Sequence, residues 1–589
     1  MELQIIKTEG YVKGETCVKG EPCKQEPVFT INNGTLVKCT LDGQKTVIIP
    51  EGIKTVGRKC FAEADVEEIV LPEGIEIIDT DAFAFCKKLR KINFPETLKI
   101  ISHGAFRACF SLETVILPKK IKELNSCAFF KAGIKHLTLP EKVSLETGVE
   151  IFAGIDIETI DIPENFTLTP TMFAGCQRLR SINLLGSHIT IPERCFCDCI
   201  NLTEIDITKA ALIRDEAFCR CQNLSVSTIP ADTFVAASAF EETGVTDVVI
   251  EDISKINNRV FADCKSLKKL IINIADGPTS VPSALVKGCE NLQTVMFTGR
   301  TKNLTVIEAA AFKETKMLTT ISLPEAVKTI SKEAFYSSGI ENIHLPKNLK
   351  QIGTMAFARS GLKDIVIPNK TKRLGESAFF DCNELTEVTL PESVTKIPSG
   401  IFEGCCSLKT VNAPNVDTVC EHAFYGCKNL EAFDFSKLQT LEHMAFAYTG
   451  IHEAIFSDRL VNLGEAIFSN CNNLQTVDMK TCKIRKISRQ CFCFCDRLKN
   501  VQLPQDVIAF DNGCFLRAKL NKLVINAGTY VDDNAFGKSF ISELVFADDT
   551  NCLTKTAVHS LAFENAEVGK LAIPDHMYDR FKEAIDKIQ

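Results

Sequence analysis

No stretch of this 589-residue chain approaches the roughly 18–20 apolar residues of a membrane-spanning helix. The N-terminal MELQIIKTEGYVKGETC lacks the apolar core and small-residue cleavage site of a secretory signal, so the expected location is cytoplasmic. Positive charge is in deficit. Against 75 Asp and Glu stand 67 Lys and Arg, and a net charge of −8 argues against chain-wide attraction to nucleic acid or anionic membrane. Catalytic signatures are missing too: G-x-x-x-x-G-K-S/T, G-x-G-x-x-G after a strand, G-x-S-x-G and H-E-x-x-H are all absent. The nine histidines fall one per repeat or fewer, and the outward-facing His136 and His344 lie too far apart to share a metal. No catalytic, cofactor-binding or metal-ligating residue emerges, no cofactor is expected, and the chain reads as non-enzymatic.

What the chain does have is one phrase, repeated. It is plain in Glu376–Pro391, ESAFFDCNELTEVTLP, where Ala378-Phe379 is followed by Cys382, then Leu385, Val388 and Leu390, then proline. Its phenylalanine recurs at Phe61, Phe83, Phe106, Phe129, Phe152, Phe173, Phe196, Phe218, Phe240 and Phe261. Val286 takes the place once. The series resumes at Phe312, Phe335, Phe357, Phe379, Phe402, Phe424, Phe446, Phe468, Phe492, Phe515, Phe536 and Phe563, making 23 units mostly 22 or 23 residues apart. That period points to a leucine-rich repeat or a related coil.

Each unit reads as one turn of a solenoid. In Leu89–Phe94, Ile92 and Phe94 face the core and Lys91 and Asn93 face out, by the two-residue alternation of strands. Pro95 ends the strand, Leu98 and Ile101 cover the opposite wall, and Ala105-Phe106 opens a tight helical turn. No coil can bury its own Phe and Leu, so coils must stack about 4.8 Å apart in parallel strand ladders. The expected fold is a β-rich, right-handed leucine-rich-repeat coil. A parallel sheet would line its concave face, opposite short turns, 3-10 or helical segments, along an arc of roughly 110 Å.

Cysteine is abundant at 27, and twelve of these lie three residues after the repeat phenylalanine or, for Cys289, after the Val286 that takes its place. That register favours reduced thiols acting as small core side chains over a disulfide framework, with thiol chemistry incidental. The clusters Cys195, Cys197, Cys199 with Cys219, Cys221, and Cys491, Cys493, Cys495, are read the same way in preference to metal sites. At Gly133, Gly244, Gly339, Gly361 and Gly450 the return is one residue shorter, which positive φ at glycine would permit.

Four regions follow. Residues 1–27, rich in Lys, Glu, Gly and Pro and holding Cys17 and Cys23, read as a flexible lead-in. Residues 28–45 form a capping hairpin around Asn33-Gly34. Residues 46–574 are the array. Residues 575–589 read as a capping amphipathic helix, with Asp575 as N-cap and Tyr578, Phe581, Ile585 and Ile588 at helical spacing.

With its Ala-Phe-x-x-Cys turn, its Leu/Ile-Pro strand end and its FTINNGTLVKC start (Phe29–Cys39), the repeat resembles the BspA-type (Treponema pallidum-type) leucine-rich repeat family over about Phe29 to Pro574. Many members are surface proteins that bind matrix proteins or host cells, so the resemblance implies adhesion or protein recognition and a possible cell-surface location. Many surface members carry a secretion signal, which this sequence does not show.

Function is therefore sought on the outward face of the strand sheet. The residue before the last core position of each strand forms a lane, apolar at Val249, Ile271 and Met296 in the middle and at Val524, Val545 and Ala572 near the end. Exposed apolar lanes mark partner contact. The expected partner-binding residues are Val249, Ile271 and Met296 with Lys269 and Thr294, beside the insertions Ala275–Ser280 and Thr298–Asn303. The alternative is a structural, envelope-associated or self-associating scaffold with no discrete ligand site.

Overall fold

The computed structural model describes residues 4–7, 27–143 and 148–589. The chain divides into two compact units, Met1–Asn273 and Ile274–Gln589, and both are built from the same coil. Three walls enclose each coil. The first is the strand ahead of the proline: Thr46–Ile48 pairs in parallel with Glu68–Val70, which pairs with Lys91–Ile92. The second is a ladder of two-residue strands, in which Thr55–Val56, Ile77–Ile78 and Ile100–Ile101 pair in parallel. Between those short strands and the next strand of the first wall the chain makes a tight turn, and these turns form the third wall.

The third wall is hydrogen-bonded as regularly as the other two. Asp81, Phe83 and Phe85 donate their N–H groups to the carbonyls of His103, Ala105 and Arg107 in the following coil, at 3.0, 2.8 and 2.8 Å. The intervening N–H groups close short loops within their own coil, as from Ala82 to Asp79 and from Ala84 to Asp81. Asp81 (φ 53°) and Phe85 (φ 61°) lie in the left-handed region on either side of Phe83. Residues two before and two after the repeat phenylalanine share this conformation in both units, whether Arg194 and Asp198 or Met355 and Arg359, except Leu561 in the last coil. A non-glycine residue there costs about 1–2 kcal/mol. The bonds to the next coil offset that cost, because alternating handedness turns successive outward N–H groups the same way.

The core is a column of rings. In the first unit each phenylalanine from Phe61 to Phe261 stacks on the next, as Phe83 does on Phe106, with centroids 5.0 Å apart and planes within 9°. In the second unit an equivalent column runs from Phe312 to Phe563. Val286 stands fully buried in the phenylalanine position of the second unit's first coil.

Buried cysteines serve this column through their thiols, which sequence reading treated as inert filler. Cys86 Sγ donates to the Phe61 carbonyl at 2.9 Å and Cys405 Sγ to the Phe379 carbonyl at 3.1 Å, in each case one coil back. Nine further ladder cysteines, from Cys109 to Cys495, do the same. Burial pushes the Cys86 thiol up to about 12 and that of Cys382 to about 11, which keeps the donated proton in place. Where threonine substitutes, as at Thr243 and Thr449, the hydroxyl bonds its own coil's Phe240 or Phe446 carbonyl at 2.8 Å.

Several expectations are corrected. The five short-return glycines do not use positive φ. Their coils run so close to the one before that a Cβ on Gly133 would lie 1.9 Å from the Phe110 carbonyl oxygen, and one on Gly339 2.0 Å from that of Lys316. The lead-in is not loose throughout, since Gln4–Lys7 is a strand paired antiparallel with Val28–Asn32. Cys17 and Cys23 lie outside the described residues.

At the C-terminus the single helix is three short pieces, Asp575–Tyr578, Asp579–Phe581 and Lys582–Ile585. Pro574 holds the N-cap position and Asp575 the first turn. Met577, Phe581 and Ala584 are the buried residues, at i, i+4 and i+7, while Tyr578 faces solvent, so the buried stripe keeps helical spacing but is offset by one position from Tyr578 and Ile585.

Candidate partner-binding surface

The first wall turns every second side chain to solvent. In Thr114–Ile116 the middle Val115 is buried and both neighbours are exposed. At and just before the strand starts lie compensating charges, with Lys91–Glu68 at 2.8 Å, Lys135–Glu113 at 2.7 Å and Lys363–Glu341 at 2.7 Å. The lane beside it is partly tied down by side-chain bonds between coils. Asn93 receives the Leu71 N–H at 2.7 Å and donates to the Leu71 carbonyl at 2.8 Å, and Asn183 donates to Asp161 at 2.7 Å.

Within the first unit, Asp247–Ile250 pairs with Lys269–Ile274 so that Val249 stands opposite Ile271 and Asp247 opposite Lys269. Val249 and Ile271 are half-buried, while Lys269 is exposed. In the second unit Thr294 and Met296 lie on the strand Thr294–Gly299 and are exposed, Met296 by 46%. The two insertions touch within that unit: Arg300 pairs with Asp276, and Asn303 donates to the Ala275 carbonyl at 3.0 Å.

Sequence reading missed the most exposed apolar members of the lane. Ile48 (66%) and Ile116 (61%) in the first unit, and Val366 and Ile455 in the second, occupy the same register position. The signal was available, since each is the residue before the last core position of its strand.

Near the end of the lane, Val524 lines a cleft of about 360 Å³ with Val501, Leu503, Phe510, Leu520 and Leu523. The cleft opens where Asn500–Gln502 and Lys519–Ile525 belong to different sheets. Asn521 still bridges there, to Lys499 O at 3.2 Å through its N–H and to Asn500 Oδ1 at 3.0 Å through its side chain.

Polar clusters lie elsewhere. Cys197 and Cys219 share the guanidinium of Arg220 at 3.1 and 3.4 Å, and Arg220 is held by Asp198 at 2.6 Å. Cys195 and Cys491 are fully buried in the motif alanine position. The fully buried Asp549 accepts from Thr556 N at 3.0 Å, from Arg580 and from His576 at 3.4 Å. Burial opposes its ionisation, and these bonds outweigh burial, holding the carboxyl down at about 2. This cluster pins the C-terminal segment to the last coil. Among the described residues no helix is long and apolar enough to cross a membrane.

Solved structures that show similarity include three leucine-rich proteins. A leucine-rich repeat protein from Bacteroides ovatus is 22% identical over 70% of this chain and 99% of that one, with a TM-score of 0.44. The T. pallidum leucine-rich repeat protein is 21% identical over 38% and 77%, TM-score 0.22. A leucine rich cell surface protein from Faecalibacterium prausnitzii is 16% identical over 96% and 97%, TM-score 0.24. The comparison with curated proteins returned no match.

The family model for the BspA type leucine rich repeat region matches in overlapping windows that run from 29–149 to 417–542. Leucine-rich-repeat solenoids of this kind are generally non-enzymatic and suited to protein interaction or scaffolding. The family match covers most of the sequence, and the described coils repeat its unit without interruption inside each compact part: the chain belongs to the BspA-type leucine-rich repeat family.

Proposed function

We propose that this chain is a non-enzymatic recognition solenoid that binds a partner protein through the outward lane of its first wall. The observation that carries the reading is the lane itself, in which apolar side chains recur at one register position beside mutually neutralised charge pairs. Val249 and Ile271 with Lys269 form one contact stretch in the first unit, and Thr294 and Met296 form another in the second. A reducing compartment suits this reading, because the ladder thiols donate hydrogen bonds that a disulfide would remove.

The alternative is a self-associating scaffold. It is disfavoured by end pieces that cover the terminal coils, an antiparallel hairpin at one terminus and the Asp549-pinned segment at the other. Replacing Val249, Ile271 and Met296 by Glu, one at a time, should abolish capture of the partner with no change in thermal unfolding. Capture undiminished in all three variants would discard the lane as the contact, and concentration-dependent self-association in place of capture would favour the scaffold.

A further inference from the structure

Two groups of three potential metal donors converge within 4.8 Å among the described residues, and they differ in whether their donors are already in use. In Asp548, Asp549 and His576, the carboxylates are committed to Thr550, Thr556, Arg580 and His576. In Glu421, His422 and His443, no side chain takes part in a hydrogen bond or ion pair among the described residues, although two imidazoles and a carboxylate point into one space.

The coil register makes this convergence. Glu421 and His443 are each three residues before their repeat phenylalanines, Phe424 and Phe446, so stacking sets them one coil apart. His422 follows Glu421 in the left-handed conformation (φ 56°), and its N–H donates to the His443 carbonyl at 3.0 Å. The Glu421 carbonyl accepts from Gly400 at 2.9 Å. The ligand-bearing backbone is thus held on both sides while the side chains remain free to turn. The imidazoles tilt toward one another at 5.7 Å between ring centroids, and Tyr425 packs edge-on against His422 at 5.3 Å. Glu442 is spoken for, receiving the Glu421 N–H at 3.3 Å and lying 3.8 Å from Lys396.

We propose that Glu421, His422 and His443 form a binding site for a divalent transition-metal cation of the zinc type, independent of the partner-binding lane. Two imidazoles and one carboxylate are a donor set that such a cation accepts, with a fourth position left to water or an incoming ligand. Tetrahedral bonds of about 2.0–2.2 Å place donor atoms about 3.4 Å apart. Closing from within 4.8 Å needs only rotation of side chains that no other bond restrains.

The test uses the full chain with its accessible thiols blocked by iodoacetamide, titrated calorimetrically with Zn²⁺ and spectroscopically with Co²⁺. One saturable equivalent is expected, without the charge-transfer absorption of thiolate ligands. His443→Ala and Glu421→Gln should each weaken binding by about tenfold or more, as should His422→Asn, which keeps a residue tolerant of left-handed backbone. Metal-free melting temperatures of the variants establish that they fold. No saturable site in the parent chain, thiolate absorption on Co²⁺ binding, or affinity unchanged in all folded variants would overturn the proposal.

Discussion

Replacing Phe379 by Ala removes one ring from the column of the second unit. Phe379 is fully buried and lies between Phe357 and Phe402, with centroids 5.6 Å away on each side and planes within 5° and 11°. Truncating a buried Phe costs about 3–5 kcal/mol. A stacked ring pair adds about 0.5–1.5 kcal/mol beyond burial, and Phe379 belongs to two such pairs, which places this site at the top of that range. Because each coil touches only its neighbours, the loss should stay local. Hydrogen exchange read by mass spectrometry should show protection falling by about 10³-fold between residues 357 and 402, at roughly 1.4 kcal/mol per tenfold. Peptides around Phe515 and Phe536 should exchange as before. Phe379→Leu, which keeps most of the apolar volume, should lose roughly 1–2 kcal/mol. Protection reduced by less than about tenfold, or reduced equally throughout the second unit, would refute the picture of a ring column with nearest-neighbour coupling.

Other outcomes follow from single contacts. Gly339→Ala would drive a Cβ to 2.0 Å from the Lys316 carbonyl oxygen, so thermal unfolding should shift down by several degrees, whereas a glycine needed only for φ freedom would show about 1 kcal/mol. The Asp549 carboxyl, held down at about 2, stabilises the C-terminal segment above the ordinary carboxylate pKa of about 3.9, and this is lost as pH falls toward 2. Exchange of the amides in Asp575–Ile585 should therefore rise between those pH values, and Asp549→Asn should show the loosened segment already at pH 7. Iodoacetamide at pH 8 should label the partly exposed Cys406 and Cys552 well before the buried Cys382 and Cys471, whose thiols burial pushes up to about 11. Equal labelling would deny the thiol ladder.

The ring column and the first wall were legible because their residues are chemically marked: phenylalanine, leucine and proline recur at fixed offsets. The third wall was not. Its left-handed positions hold Lys59, Asp81, Cys127, Arg194 and Met355 alike, since bonds to the next coil fix the backbone and no side-chain type is required. Gly133 and Gly339 were recognised as necessary for the wrong reason, because a clash with the preceding coil cannot be seen without coordinates. Ile48 and Ile116 could have been found by following the lane through every coil. His422 and His443 look scattered in sequence, and only alignment on Phe424 and Phe446 shows them as neighbours.

The one-way donation in the third wall gives the repeat a polarity. In the first coil the carbonyls of Arg58, Cys60 and Ala62 hold the positions that accept at His103, Ala105 and Arg107, whereas the last coil ends on N–H groups. There Leu561 N–H finds His559 Nδ1 at 3.2 Å, and Asn565 N–H finds the Lys587 carbonyl at 3.0 Å. Whatever closes one terminus must bring donors, and whatever closes the other must bring acceptors. Whole coils can be added or deleted in the interior without disturbing this arrangement, but the end pieces cannot be exchanged for one another, so length is free to vary while direction is not.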